Sequence, residues 1–116
     1  MDSRIFFKKH CNGVVILEPD EIVYIRVVDK YINIYTVTDE YYIRASLNEY
    51  MELLEGKFIR ISRNVVVNFD NVLWVQDGKV KVNNGERLCV SRRRWKEVKM
   101  AFMVYLGEKM TVRDKK

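Results

Sequence analysis

Short β-favouring runs, each closed by a turn signal, follow one another along most of this chain, and that punctuation constrains the fold more than any other feature. "RIFFKK" and "GVVILE" flank "HCNG", a turn signal that predicts a hairpin. "EIVYIRVV", "YINIYTV" and "YYIRAS" are rich in Val, Ile, Tyr and Thr and break at Asp29-Lys30 and Thr38-Asp39-Glu40. Three consecutive antiparallel strands follow from them. Further on, "KFIRIS", "VVVNF", "VLWVQ", "KVKV" and "ERLCV" repeat the pattern, with Asp77-Gly78 and Asn83-Asn84-Gly85 as hairpin turns.

The period changes twice. In "SLNEYMELLEG", Ser46 and Glu49 have capping-box spacing, and Leu47, Met51 and Leu54 recur at helical intervals before Gly56. A short helix over about 46–55 is expected. In "SRRRWKEVKMAFMVYL", Trp95, Val98, Phe102 and Leu106 mark one apolar helical face, so a second short helix is expected over about 92–106. The closing "GEKMTVRDKK" reads as a frayed tail. The residues therefore predict a mainly β protein with two short helices. At 116 residues it is expected to form a single domain over 1–116, with its core at about 4–106.

Charge is divided along the chain. Residues 1–55 carry a net −4, residues 56–99 a net +7 and residues 100–116 a net +2, for a total of +5. A surface built only for solubility would mix the signs, so the basic stretch points to a polyanionic partner. The chain has no run of 18 apolar residues and no signal-peptide succession at its start, which predicts a cytoplasmic protein without a membrane partner.

Catalytic and metal signatures are missing from the sequence. It holds no glycine-rich phosphate loop, no HExxH and no GxSxG. His10 is the one histidine and adjoins Cys11, while the second cysteine, Cys89, is remote in sequence. That set cannot complete a tetrahedral zinc site. Neither an enzyme nor a cofactor is expected.

The unusual residues are cations. If "KFIRIS" is a strand, Phe58, Arg60 and Ser62 share one face and Ile59 and Ile61 the other, so Arg60 can face solvent. Arg63 and Asn64 then turn the chain. Asn tolerates turn backbone, but an arginine at a hairpin tip projects a planar fork of donors suited to phosphate oxygens or guanine edges. Asn68 reads as a buried or turn-capping amide. Ser91 is placed as an N-cap, which puts Arg92, Arg93 and Arg94 in the first turn of the last helix. Cations there oppose the helix dipole by about 0.3–1 kcal/mol each. A local rule broken three times in succession points to a docked anion.

"FIRISRNVVVNFDNV", followed by "VSRRRWKEVK", resembles the LytTR DNA-binding domain of bacterial transcriptional regulators. That family's hallmark runs F-x-R-x-H-R-S-hydrophobic-hydrophobic-V-N, with a later S-R segment. "EPDEIVYIRVVDKYINIYT" is similar to its opening strands. The resemblance implies small antiparallel sheets stacked in an elongated β arrangement, with loops rather than a recognition helix on promoter DNA. It places contacts at Lys30 and Tyr31, at Ser62, Arg63 and Asn64, and at Arg92 and Arg93. Lys96, a turn further along, joins them as a phosphate contact. It also implies double-stranded DNA with paired repeats bound by two copies, and a receiver domain or other upstream regulator as a further partner. Ser62 and Asn64 replace the family's His and Ser, so target preference does not carry over. The chain is expected to be either an excised C-terminal domain or a free-standing regulator.

Two other readings use the same residues. A single-stranded nucleic-acid or RNA-binding domain would stack bases on Tyr24, Tyr31, Tyr35, Tyr41 and Tyr42. A protein-interaction module would dock an acidic partner on the basic half.

Overall fold

The protein was analysed as a computed structural model, which describes residues 5–51, 54 and 56–114, with side chains as far as Lys109. Among the described residues, ten strands form two antiparallel sheets. Strands β1 (Ile5–Lys8) and β2 (Gly13–Ile16) make the first hairpin. The next three, β3 (Tyr24–Val28), β4 (Tyr31–Tyr35) and β5 (Glu40–Arg44), form the predicted meander. After helix α1 (Leu47–Met51) come β6 (Phe58–Ser62) and β7 (Val65–Asn68). These seven strands lie in the order β2-β1-β5-β4-β3-β7-β6. The smaller sheet contains β8 (Val72–Gln76), β9 (Lys79–Val82) and β10 (Arg87–Cys89), and α2 (Arg92–Asp114) follows it.

Local chemistry explains the turns. Asp77 and Gly78 both have positive φ, 52° and 75°, the backbone of a two-residue hairpin turn whose twist matches the strands it joins. Gly85, at φ 97°, occupies a region that side chains rarely enter. Asp29 reaches φ 55° between β3 and β4, a conformation that short polar residues tolerate.

Strand alternation feeds two separate cores. Ile25, Ile32, Ile34 and Val66 face α1 and pack with Phe6, Leu47, Tyr50 and Phe58. The opposite face, at the β3–β7–β6 edge, presents Tyr24, Ile61 and Val67 to Val80, Val82 and Leu88 of the small sheet and to Val98 of α2. Burial of each such side chain stabilises the fold by about 1.5–3 kcal/mol. Burial also raises the phenols: Tyr50 is pushed up to about 12, as is Tyr24, where Tyr35 adds to the effect from a ring stacked 4.2 Å away.

Several expectations need correction. Helix α2 is not short: it runs 23 residues through Asp114, so residues 107–114 of the expected frayed tail are helical, and 115 and 116 lie outside the described residues. An interior glycine costs about 1 kcal/mol, less than the contacts that hold the far half of this helix supply. Those contacts come from Tyr105, which packs on Phe69 at 5.4 Å, while Leu106, expected on the buried face, is exposed. Trp95 is only half-buried and Val98 is the fully buried residue of that face. Arg60 does not look into open solvent either, because α1 covers its side of β6. Its Nη2 donates to Asn48 Oδ1 at 3.2 Å, and its Nε is buried without a partner. Helix α1 is described over Leu47–Met51, and residues 52, 53 and 55 of the expected 46–55 helix lie outside the described residues.

Candidate nucleic-acid interface

Strand register carries two turns to one end of the large sheet. Arg26 of β3 pairs with Asn33 on one side and with Val65 on the other. The β3–β4 turn after Val28 and the β6–β7 turn before Val65 therefore project together. The Val27 N–H donates to the Asn64 carbonyl at 2.8 Å, which ties the second turn to the first. The start of α2 is fixed beside them, since the Ser91 N–H donates to the Ile61 carbonyl at 2.9 Å. A register shift between Arg60 and Ser62 marks a bulge in β6 just before Arg63, a device that re-aims neighbouring side chains.

The two arginine clusters that are far apart in sequence meet here. Arg63 and Arg93 line one cleft with Ser91, Arg94 and Glu97. Ser91 sits where an N-cap should, immediately before Arg92, yet its buried hydroxyl makes no hydrogen bond. The expected side-chain cap is absent, and a polar group borders the cleft with its bonding capacity unused. Ser62 lies in an adjoining groove with Arg26 and Arg87. Sequence reasoning passed over Arg26, Arg87 and the cleft role of Arg94. Arg94 was signalled by its place in the triplet, but the other two sit in ordinary strand alternation.

The remaining candidates are placed apart from that cleft. Arg92 and Lys96 are exposed on α2 and line neither the cleft nor the groove. Lys30 is exposed at the β3–β4 turn, and Tyr31 lines a different cavity on the open face of β4 and β5. Of the tyrosines weighed as stacking platforms, Tyr24 and Tyr41 are buried, whereas Tyr31 is 42% exposed. Asn68 is structural, as expected: its Nδ2 donates to the Ile22 carbonyl and its Oδ1 accepts from the Asp70 N–H, both at 2.9 Å.

Some cations of the protein are already paired within the fold. Lys8 and Lys9 pair with Asp39 and Glu40, and Lys57 pairs with Asp20 and Asp70. Among the described residues, Lys30, Arg63, Arg92, Arg93 and Lys96 form no ion pair. Unpaired guanidinium groups converge on the positive end of a helix whose first N–H groups lack intrahelical partners. Such an arrangement attracts anions.

The family model of the LytTr DNA-binding domain matches residues 12–103. The chain belongs to this family. Its fold is similar to that of a solved LytTr domain from a Bacillus cereus protein described as a methyl-accepting/DNA response regulator. The two share 21% identity at a TM-score of 0.73, over 84% of this chain and 95% of that one. No curated protein matches the chain. As a LytTr domain the chain is a DNA-binding regulatory domain and not an enzyme, so DNA is its partner. No helix among the described residues of this LytTr domain is long and apolar enough to cross a membrane.

Proposed function

We propose that this domain recognises double-stranded DNA by sequence, in the cytoplasm, through the loops at one end of the large sheet. Arg63 and Asn64 at the β6–β7 turn read base edges in the major groove, with Ser62 supporting the turn. Arg92, Arg93 and Lys96 at the start of α2 hold phosphates, and Lys30 with Tyr31 touches the flank of the site. Phosphate contacts set register, while base contacts set preference. Two copies on paired repeats, under control of a receiver domain or another upstream regulator, complete the proposal.

The observation that carries it is the convergence of Arg63 and Arg93 in one cleft, beside an unpartnered Ser91 hydroxyl and among cations that have no acidic partner.

Salt dependence tests this directly. Each phosphate neutralised on duplex DNA contributes a slope of about −0.9 to log K against log salt. The double variant R92Q/R93Q is expected to flatten that slope by nearly two units. An unchanged slope would place the phosphate contacts elsewhere. Duplex, single strand and RNA compared at one salt concentration should rank the duplex first, and a preference for single strands would overturn the reading.

A further inference from the structure

One face of the large sheet is covered over β6, β7 and the start of β3 but open across the strands beyond. Register places Val14, Phe7, Tyr42, Asn33 and Arg26 in a row across β2, β1, β5, β4 and β3 on that open side. Phe7, Val14, Val28 and Tyr31 are among its exposed side chains. Asn33 is the exception, only 4% exposed in the middle of the row. Its side-chain amide has no hydrogen-bond partner among the described residues and lines a cavity of about 380 Å³ with Tyr31, Tyr42, Val28, His10 and Cys11. An amide that is unpaired by the fold and open to a cavity presents both its donor and its acceptor to whatever enters.

We propose that this cavity binds an unstacked nucleobase. An amide offers a donor and an acceptor side by side, the pattern that base edges complement, as Asn does with adenine. Aromatic walls suit a planar heterocycle: the Tyr31 and Tyr42 rings meet edge-on at 5.9 Å, and Phe7 lies 5.7 Å from Tyr42. The volume is at the small end of the range for ligand pockets, which fits a base better than a peptide. A purely apolar ligand would leave Asn33 unsatisfied, and the described residues hold no cluster of three His, Cys or acidic groups for a metal. The base could belong to a free nucleoside or to an unpaired stretch of nucleic acid, and the chemistry of the site is common to both.

Tyr31 borders both this cavity and the proposed duplex interface, but Asn33 and Tyr42 have no part in that interface. The test is titration of the whole chain with adenosine, guanosine, cytidine and uridine separately, and with an unstructured mixed-sequence oligonucleotide, read by NMR at the Asn33 side-chain amide and the Tyr42 ring. Saturable shifts are expected, weakened at least about tenfold in Asn33→Leu by loss of the amide pairing and in Tyr42→Leu by loss of stacking. Saturation by a nucleoside supports the site with a free ligand, and saturation by the oligonucleotide alone supports it with a polynucleotide. No saturable shift with any probe, or shifts undiminished in both variants, would overturn it. Duplex binding by Asn33→Leu should match the parent at every salt concentration, which keeps this result separate from that of the DNA interface.

Discussion

The two halves of helix α2 treat their charged groups differently. At its start, Arg92 and Arg93 stand without acidic partners. Toward its far half, Tyr105 donates a hydrogen bond to Asp70, and Lys109 pairs with the same carboxylate at 3.7 Å. Lys57 completes that cluster at 3.0 Å from Asp70 and also bonds Asp20. Burial alone would raise the Asp70 carboxyl, but the bonds from Tyr105 and Lys57 outweigh it and hold the group below its ordinary value. The Tyr105 hydroxyl is pushed up in turn, by burial and then by Asp70. Lys57 is raised because its two carboxylate partners outweigh its own desolvation. Lys57 and Lys109 thus help to hold the helix, and on the proposed reading Arg92 and Arg93 are left for phosphate. The difference teaches that groups bonded to Asp70 serve the fold, whereas the first-turn arginines have no such partner among the described residues.

The largest expected effect tests the holding end. Phe69 is 2% exposed and touches the rings of Phe102 and Tyr105 at 5.2 and 5.4 Å. Phe69→Ala should lower stability by about 3–5 kcal/mol in urea unfolding. A loss under 1 kcal/mol would mean that the far half of α2 is not anchored there.

Next comes Arg63→Ala, expected to cost about 1–3 kcal/mol on the preferred duplex and to relax selectivity at one base position, with the melting temperature unchanged. Equal losses on preferred and random duplexes, measured by anisotropy, would reduce Arg63 to a phosphate contact.

Asp70→Asn sharpens the comparison through pH. Because the folded carboxyl is depressed, its contribution is present above the unfolded value near 3.8 and is lost as pH falls through the lower folded value. The variant should be less stable than the parent by about 1 kcal/mol at neutral pH, a figure reduced for partial exposure, and the gap should close on acidification. A constant gap from neutral pH down to about pH 2 would detach the effect from ionisation.

The smallest effect concerns the working end. R92Q/R93Q removes two cations that oppose the helix dipole, so stability should hold or rise by a few tenths of a kcal/mol. A fall of more than about 1 kcal/mol would make the pair structural.

Period and punctuation made the elements legible. Short β-favouring runs between turn signals marked the strands, and Asp77-Gly78 marked a turn whose positive φ values the structure bears out. Arg63 and the arginine triplet stood out because a turn tip and a helix N-terminus carry local rules that those residues break. Where a decision depended on the other side of a side chain, the same reading failed. Alternation left Arg60 free of α1, and a 3.6-residue period preferred Leu106 to Tyr105 because it does not know that Phe69 and Asp70 wait beside the helix.

What the sequence determined by itself was local: strand identities, turn sites, helix starts and the uneven distribution of charge, all set by backbone preferences and by neighbours within a few residues. Tertiary structure alone decided that β3 pairs with β7 and β1 with β5. The β3–β7 pairing sets the β6–β7 turn beside the β3–β4 turn, and the bond from the Ser91 N–H to the Ile61 carbonyl brings Arg93 beside Arg63. The physical reason is that strand order and helix length depend on contacts between residues tens of positions apart, whose net energies of a few kcal/mol exceed the local propensities of at most about 1 kcal/mol per residue and leave no periodic trace in the chain.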